Sequence, residues 1–175
     1  VLGSYAAAQR IMELFDAIPI VASSLLIPEF SRRTAEARER VARKAYRFTG
    51  LFILILLPLT CLIYELFPWL YGDRFDVGQR LVPLFALRPV VNFIGIIRIA
   101  LLLSERRYRL IPLYGALASV LTVLFFPVFL EREGIEGVAM AGSLSGLASG
   151  LLLDFWVNRG NLKRIYDSFT FLPRS

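Results

Sequence analysis

Histidine is absent from the chain and cysteine occurs once, at Cys61. The first absence removes the commonest general base and metal ligand. The second excludes an internal disulfide framework and a cysteine-based metal site. We expect no catalytic group, no metal ligand and no cofactor. Charge is also thin: 19% of residues are charged, while 57% are apolar, against about 45–50% apolar in a soluble domain. Long apolar runs, not alternating patterns, carry that excess, and they mark an integral membrane protein of the all-α class. The chain opens at Val1 inside such a run, and we read it as a piece of a longer protein.

A membrane span needs roughly 20 mostly apolar residues. Five segments meet this, at about 1–27, 48–67, 81–103, 110–130 and 135–157. They form a helix bundle over 1–160, with an amphipathic connector at 31–47 and a tail at 161–175. Ser31 is expected to cap a short interfacial helix in that connector, with Ala35, Ala42 and Tyr46 on one face. Basic residues in the successive connectors and the tail number seven, two, three, one and four. This alternation is the positive-inside bias, and it runs the first span from outside to inside and leaves the C-terminus cytoplasmic. Fourteen of the 20 basic residues then sit beside helix ends on the cytoplasmic side, where they serve topology and anionic lipid. Nucleic acid is not an expected partner despite the net charge of +6; membrane lipid is.

Several polar side chains interrupt the spans. On a helix turning about 100° per residue, Gln9, Glu13, Asp16 and Ser23 share an arc of roughly 80°, with Arg10 about 60° beyond Glu13. In the third span Arg88, Asn92, Gly95 and Arg98 form a second stripe, roughly 120° wide. An ionised group at mid-bilayer costs about 2.5–3.5 kcal/mol even on the lenient insertion scale, so both stripes should face the protein interior or a wet cavity. Arg10 and Glu13 can pair at i,i+3. Arg88 and Arg98 have no acid in their own span and need a partner elsewhere or a bound anion. One reading pairs Glu13 or Asp16 with Arg88 or Arg98 as interhelical ion pairs that fix packing. The other is a cationic cavity for a phosphate-bearing substrate, since the arginine fork binds phosphate oxygens in pairs. In it Arg10, Arg88 and Arg98 contact phosphate, Glu13 and Asp16 are counter-charges or take up a coupling ion, and Gln9 and Asn92 line the cavity.

In the fifth span Gly142, Gly146 and Gly150 recur every fourth residue, with Ser145 and Ser149 at the same interval. Small residues on one face let membrane helices approach closely. Asp154 lies near the cytoplasmic end of that span, within reach of the interface. Pro19, Pro58, Pro83, Pro89, Pro112 and Pro127 fall inside spans, where neighbouring helices satisfy the carbonyls they free.

Several runs carry a resemblance to a known family. They are Gly3-Ser4-Tyr5 with Ala8, Arg10 and Glu13; then Pro19; then Leu26-Ile27-Pro28-Glu29-Phe30-Ser31 before the charged connector. Leu57-Pro58, then Leu70-Tyr71-Gly72 with Phe75, and Gly134-Ile135-Glu136-Gly137-Val138-Ala139 complete the set. In order and spacing these resemble the C-terminal part of a polysaccharide-type flippase of the multidrug/oligosaccharidyl-lipid/polysaccharide exporter superfamily. The fourth span departs from it, with Ser119 and Thr122 where that family commonly has asparagine. The resemblance implies helices eight to twelve of a 12-helix exporter, most of its second lobe, with the first lobe missing from this piece. It implies translocation of a lipid-linked glycan, carried on polyprenyl pyrophosphate, across the bacterial inner membrane by alternating access.

Two alternatives stand beside it. A cation-coupled drug exporter of the same superfamily would favour acids and aromatics in its cavity over three arginines. A membrane-embedded glycan-processing enzyme would carry catalytic groups on a long hydrophilic loop, whereas the outer connectors here are short and hold only Asp73, Asp76, Glu131 and Glu133, with Glu136 at the edge.

Overall fold

The computed structural model describes residues 2–72, 75–157 and 159–169, with side chains for 3–72, 75–157 and 159–166. Val1, the outer-connector residues Asp73 and Arg74, Asn158 and the end of the tail from 170 onward lie outside the described residues. Every element among the described residues is helical: α1 (Leu2–Arg32), α2 (Ala35–Tyr71), α3 (Asp76–Phe85), α4 (Leu87–Ser104), α5 (Leu110–Trp156) and α6 (Arg159–Phe169). Four helical stretches, 3–32, 35–71, 76–104 and 110–156, are long and apolar enough to cross a membrane.

α1 buries one stripe. Ala8, Met12, Pro19 and Phe30 are buried and Phe15, Ala22 and Leu26 partly so, a spacing of three and four that holds one face of a helix against its neighbours. The opposite side, Leu14, Ile18, Val21 and Leu25, is open, with Leu14 73% exposed. Ser31 does not cap the next helix. It lies inside α1 and its hydroxyl donates to the Ile27 carbonyl at 2.9 Å. The turn falls at 33–34, and extended Thr34 precedes α2 without a side-chain cap bond.

The connector expected between two spans is helical and continuous with the second. α2 runs 37 residues from Ala35, with Ala42 and Tyr46 buried and Ala35 exposed. It ends at Gly72, whose φ of 80° is the left-handed region where a side chain would be strained. The third apolar segment is broken at Ala86 into α3 and α4. Pro89 accounts for the break, because it has no N–H for the Phe85 carbonyl and its ring crowds that oxygen.

α5 is not a straight rod. Gly134 departs from helical geometry at φ 61°, ψ −135°, and beyond it a Cβ on Gly137 would run into the Phe129 carbonyl. Tyr114 and Asp154, 40 residues apart, are joined by a 2.6 Å hydrogen bond; in an unbroken helix they would stand about 60 Å apart. The chain therefore doubles back at Gly134 into two antiparallel arms, 110–133 and 135–156.

Two apolar clusters mark the ends of the bundle. Phe30, Tyr46, Phe52, Phe93, Ile97 and Leu101 form one; Ala8, Met12, Phe67, Leu81, Phe85 and Ala139 form the other. Thus α1 and α4 run together, and α2 runs against both. Gly78 lets α3 close on the second cluster: a Cβ there would stand 2.7 Å from the Ser4 carbonyl oxygen and 2.8 Å from the Phe67 ring.

At the first end sits a buried polar network. Asp154 is 0% exposed and Arg98 8%. Arg98 donates to Asp154 through Nε at 3.2 and 3.1 Å and through Nη2 at 2.8 Å. Tyr114 Oη donates to Asp154 Oδ1, and Asn161 Nδ2 donates to Oδ2 at 2.8 Å. Tyr46 Oη donates to Asn161 Oδ1 at 2.8 Å, and the Arg98 guanidinium lies 5.0 Å from the centre of the Tyr114 ring. Gly150 makes room: a Cβ there would be 2.7 Å from both Arg98 Nη atoms.

Removing one partner of a buried pair leaves the other charge uncompensated, at a cost of about 3–5 kcal/mol. Asp154→Asn should therefore lower the apparent melting temperature in detergent sharply. The double variant Arg98→Met/Asp154→Leu should melt above either single variant. Gly78→Ala should destabilise by about 1–3 kcal/mol through overpacking, read in the same melting experiment.

Candidate functional site

The polar stripe of α1 meets that of α4 on the flank of the bundle. Asp16 is the join. Its Oδ1 accepts from Asn92 Nδ2 at 2.8 Å, and its Oδ2 stands 3.2 Å from Arg88 Nε. The carboxylate is largely covered, whereas the Arg88 side chain is 45% exposed. The helical spacing of Arg88 and Asn92 puts both on the side of α4 that Asp16 can reach. The Arg88 guanidinium is thereby tied to Asp16, while close to half of its side chain stays open.

Those two side chains line a cavity of about 310 Å³ between α1, the junction of α3 with α4, and the second arm of α5. Tyr5 and Phe85 form its wall, with ring centres 5.0 Å apart and edge to face. Gly142, Ser143 and Gly146 form the floor. The small-residue stripe thus does two things. At Gly146 it admits close packing, since a Cβ would meet Val91 at 2.9 Å. At Gly142 nothing lies within 4 Å of the Cβ position, and the missing side chain becomes open space. A cationic fork, an amide, a hydroxyl and an aromatic wall suit an anionic, hydrogen-bonding guest.

The three arginines expected to share one site are not brought together. Arg10 is exposed and has no hydrogen bond or ion pair to another described residue. It stands about 20–80° from Val21, Leu14, Leu25 and Ile18 around α1, on the open face of that helix. Glu13 is exposed on the same side and accepts from Gln9 Nε2 at 2.8 Å. Arg10 and Glu13 do not pair with each other. Ser23 is spent on its own helix, donating to the Ile20 carbonyl. Arg98 is ten residues beyond Arg88, about 15 Å along the helix, and its charge is taken up by Asp154.

Asp154, expected to reach the interface, is instead fully buried; Tyr46 was placed on one face of the connector helix without its partner, and Tyr114 and Asn161 went unread in the sequence. For Asp154 a signal existed. It follows Gly142, Gly146 and Gly150 at the same four-residue interval, so it belongs to the stripe that faces inward, and Arg98 lacked an acid of its own. Tyr46 and Asn161 carried no comparable mark. Next to the cavity, on the other side of α1, an apolar slot of about 170 Å³ is lined by Phe15, Ile18, Phe48, Phe52, Ile55 and Leu59.

With the exposed Cys61 replaced by serine, new cysteines report on water in the cavity, because the reactive thiolate needs an aqueous surrounding. Gly142→Cys and Arg88→Cys should react readily with a charged, membrane-impermeant thiol reagent, and Ala100→Cys, at a buried position, should not. Comparisons with protein-family models, with curated proteins and with solved structures find no significant match for this chain.

Proposed function

We propose that this protein moves a lipid-linked glycan precursor, carried on polyprenyl pyrophosphate, across a bacterial inner membrane by alternating access. In this reading the doubled-back α5 contributes two crossings, so that the chain crosses five times, its first helix running inward and its C-terminus cytoplasmic. The five crossings form most of the second lobe of a 12-helix exporter.

The observation that carries the proposal is the Arg88 guanidinium. It is tied to Asp16 through Nε and left close to half exposed, at the rim of a cavity of mixed polar and apolar lining set among apolar helices. A membrane chain keeps such a charge where it meets water or a ligand, and the guanidinium fork fits the oxygens of a pyrophosphate. The apolar slot between α1 and α2 offers the lipid tail a surface beside the headgroup site. Arg10 and Glu13 lie on the open face of α1, which in the complete exporter borders the space between lobes. There Arg10 attracts the headgroup, and Glu13, held by Gln9 and without a cation partner among the described residues, is available to a coupling ion or proton. Arg98 leaves the substrate list and becomes an anchor.

Arg88→Gln and Arg10→Gln in the full-length protein should stop export and make sugar-lipid accumulate on the inner leaflet, with membrane abundance unchanged. Arg98→Gln should instead lower abundance itself. Normal export by an abundant Arg88→Gln variant would refute the role assigned to Arg88.

A further inference from the structure

A larger, open basin lies elsewhere, at the end of the bundle that holds the Arg98–Asp154 pair. It offers about 690 Å³ where the start of α2, the turn at 105–109 and the junction of α5 with α6 converge. Arg38, Arg106, Arg107, Arg159 and Arg164 line it, against one acid, Glu105. We propose that this basin is a second binding site, separate from the Arg88 cavity, for a phosphate-bearing anion.

The acids present do not neutralise it. Glu105 sits 3.3 Å from Arg164 Nη2 and only 3.8 Å from Arg107 Nε, and Arg164 also binds Glu39 at 2.7 Å. Arg38 donates from Nη1 to the Ser104 carbonyl at 2.7 Å, yet its Nε is buried and has no hydrogen-bond partner among the described residues. That nitrogen is closed to the basin, so the exposed guanidinium groups of Arg106, Arg107 and Arg159 carry the positive charge that faces it. Arg106 and Arg107 are presented by the closing turn of α4: Arg107 N–H donates to the Leu102 carbonyl at 2.9 Å and Arg106 N–H to the Leu103 carbonyl at 3.2 Å, which puts Arg106 in the left-handed position that ends a helix, at φ 57°. Arg159 is fixed by its Nε bond to the Phe155 carbonyl at 3.0 Å and by the Phe155 ring.

Several convergent guanidinium forks match the oxygens of a phosphate better than those of a single carboxylate. The volume falls in the range of about 300–1,000 Å³ usual for small-ligand sites. At the ends of apolar helices, the chemistry has two sources: the headgroup of an anionic lipid, or a soluble phosphate compound.

The test uses the full chain in nanodiscs of phosphatidylcholine, with or without phosphatidylglycerol, and separately in phosphatidylcholine with inorganic pyrophosphate. Retained lipid is counted by native mass spectrometry, and melting temperature reports pyrophosphate. Arg106→Asn/Arg107→Gln removes two charges at exposed positions, and asparagine tolerates the left-handed backbone; it should weaken whichever ligand binds by about tenfold or more. Arg40→Gln/Arg43→Gln, an equal loss of exposed charge outside the basin, should leave binding unchanged. Selective retention of phosphatidylglycerol assigns the site to lipid, and a pyrophosphate-dependent melting shift assigns it to a soluble phosphate. Should neither probe act on the wild-type chain, or should the Arg40/Arg43 pair cost as much as the basin pair, the proposal is overturned. The Arg88 cavity can take pyrophosphate too, so a response counts for the basin only where Arg88→Gln keeps it and Arg106→Asn/Arg107→Gln, or Arg159→Gln if that pair folds poorly, loses it.

Discussion

Arg98 and Asp154 are two opposite charges withdrawn from water, and the packing of one end of the bundle is organised by their meeting. Neither is tolerable alone at that depth. Together, with Tyr114, Asn161 and Tyr46 filling the remaining hydrogen-bond positions, they bind α2, α4, both arms of α5 and α6 to one point. The pair also dictates local sequence, since the guanidinium occupies the volume that any residue larger than glycine at 150 would claim. Directional contacts of this kind matter in a membrane bundle because lipid tails are as apolar as the side chains, so apolar contact alone does not fix how helices register.

The two polar sites differ in the same physical terms. Around Asp154 no buried polar side-chain atom is left without a partner among the described residues, and the result is rigidity. Around Asp16 the cover is incomplete: Asn92 and Arg88 reach the carboxylate, but the Arg88 side chain stays close to half exposed. The basin of arginines at the helix ends is more unbalanced still. Where charge is compensated it fixes the packing of helices; where it is left over it stays open to solvent and to whatever anion reaches it.

Much of the architecture was legible because apolar run length and connector charge are one-dimensional signals. The long helices, the charged connectors and the inward stripe of small residues could be read directly. The break at Ala86 was not, because Pro89 acts four residues upstream of itself, and the continuity of α2 was not, because its charged start reads as a connector although no stop follows Thr34 before Gly72. At the site, Asp16, Arg88 and Asn92 were recognisable as polar residues out of place. Which arginine would find which acid was not, since partners on separate helices are chosen by tertiary packing. Arg98 went to Asp154 rather than to the first helix, and Arg10 went to neither.

The unbroken passage of α2 from its charged start into its apolar stretch has a mechanical consequence. At about 1.5 Å per residue the helix is about 55 Å long, well beyond the roughly 30 Å of a hydrocarbon core. No proline interrupts it before Pro58, so its overhang is a stiff lever on the same axle as the span. Any rocking of that span sweeps Arg38 through an arc, and the mouth of the arginine basin must widen or narrow in step.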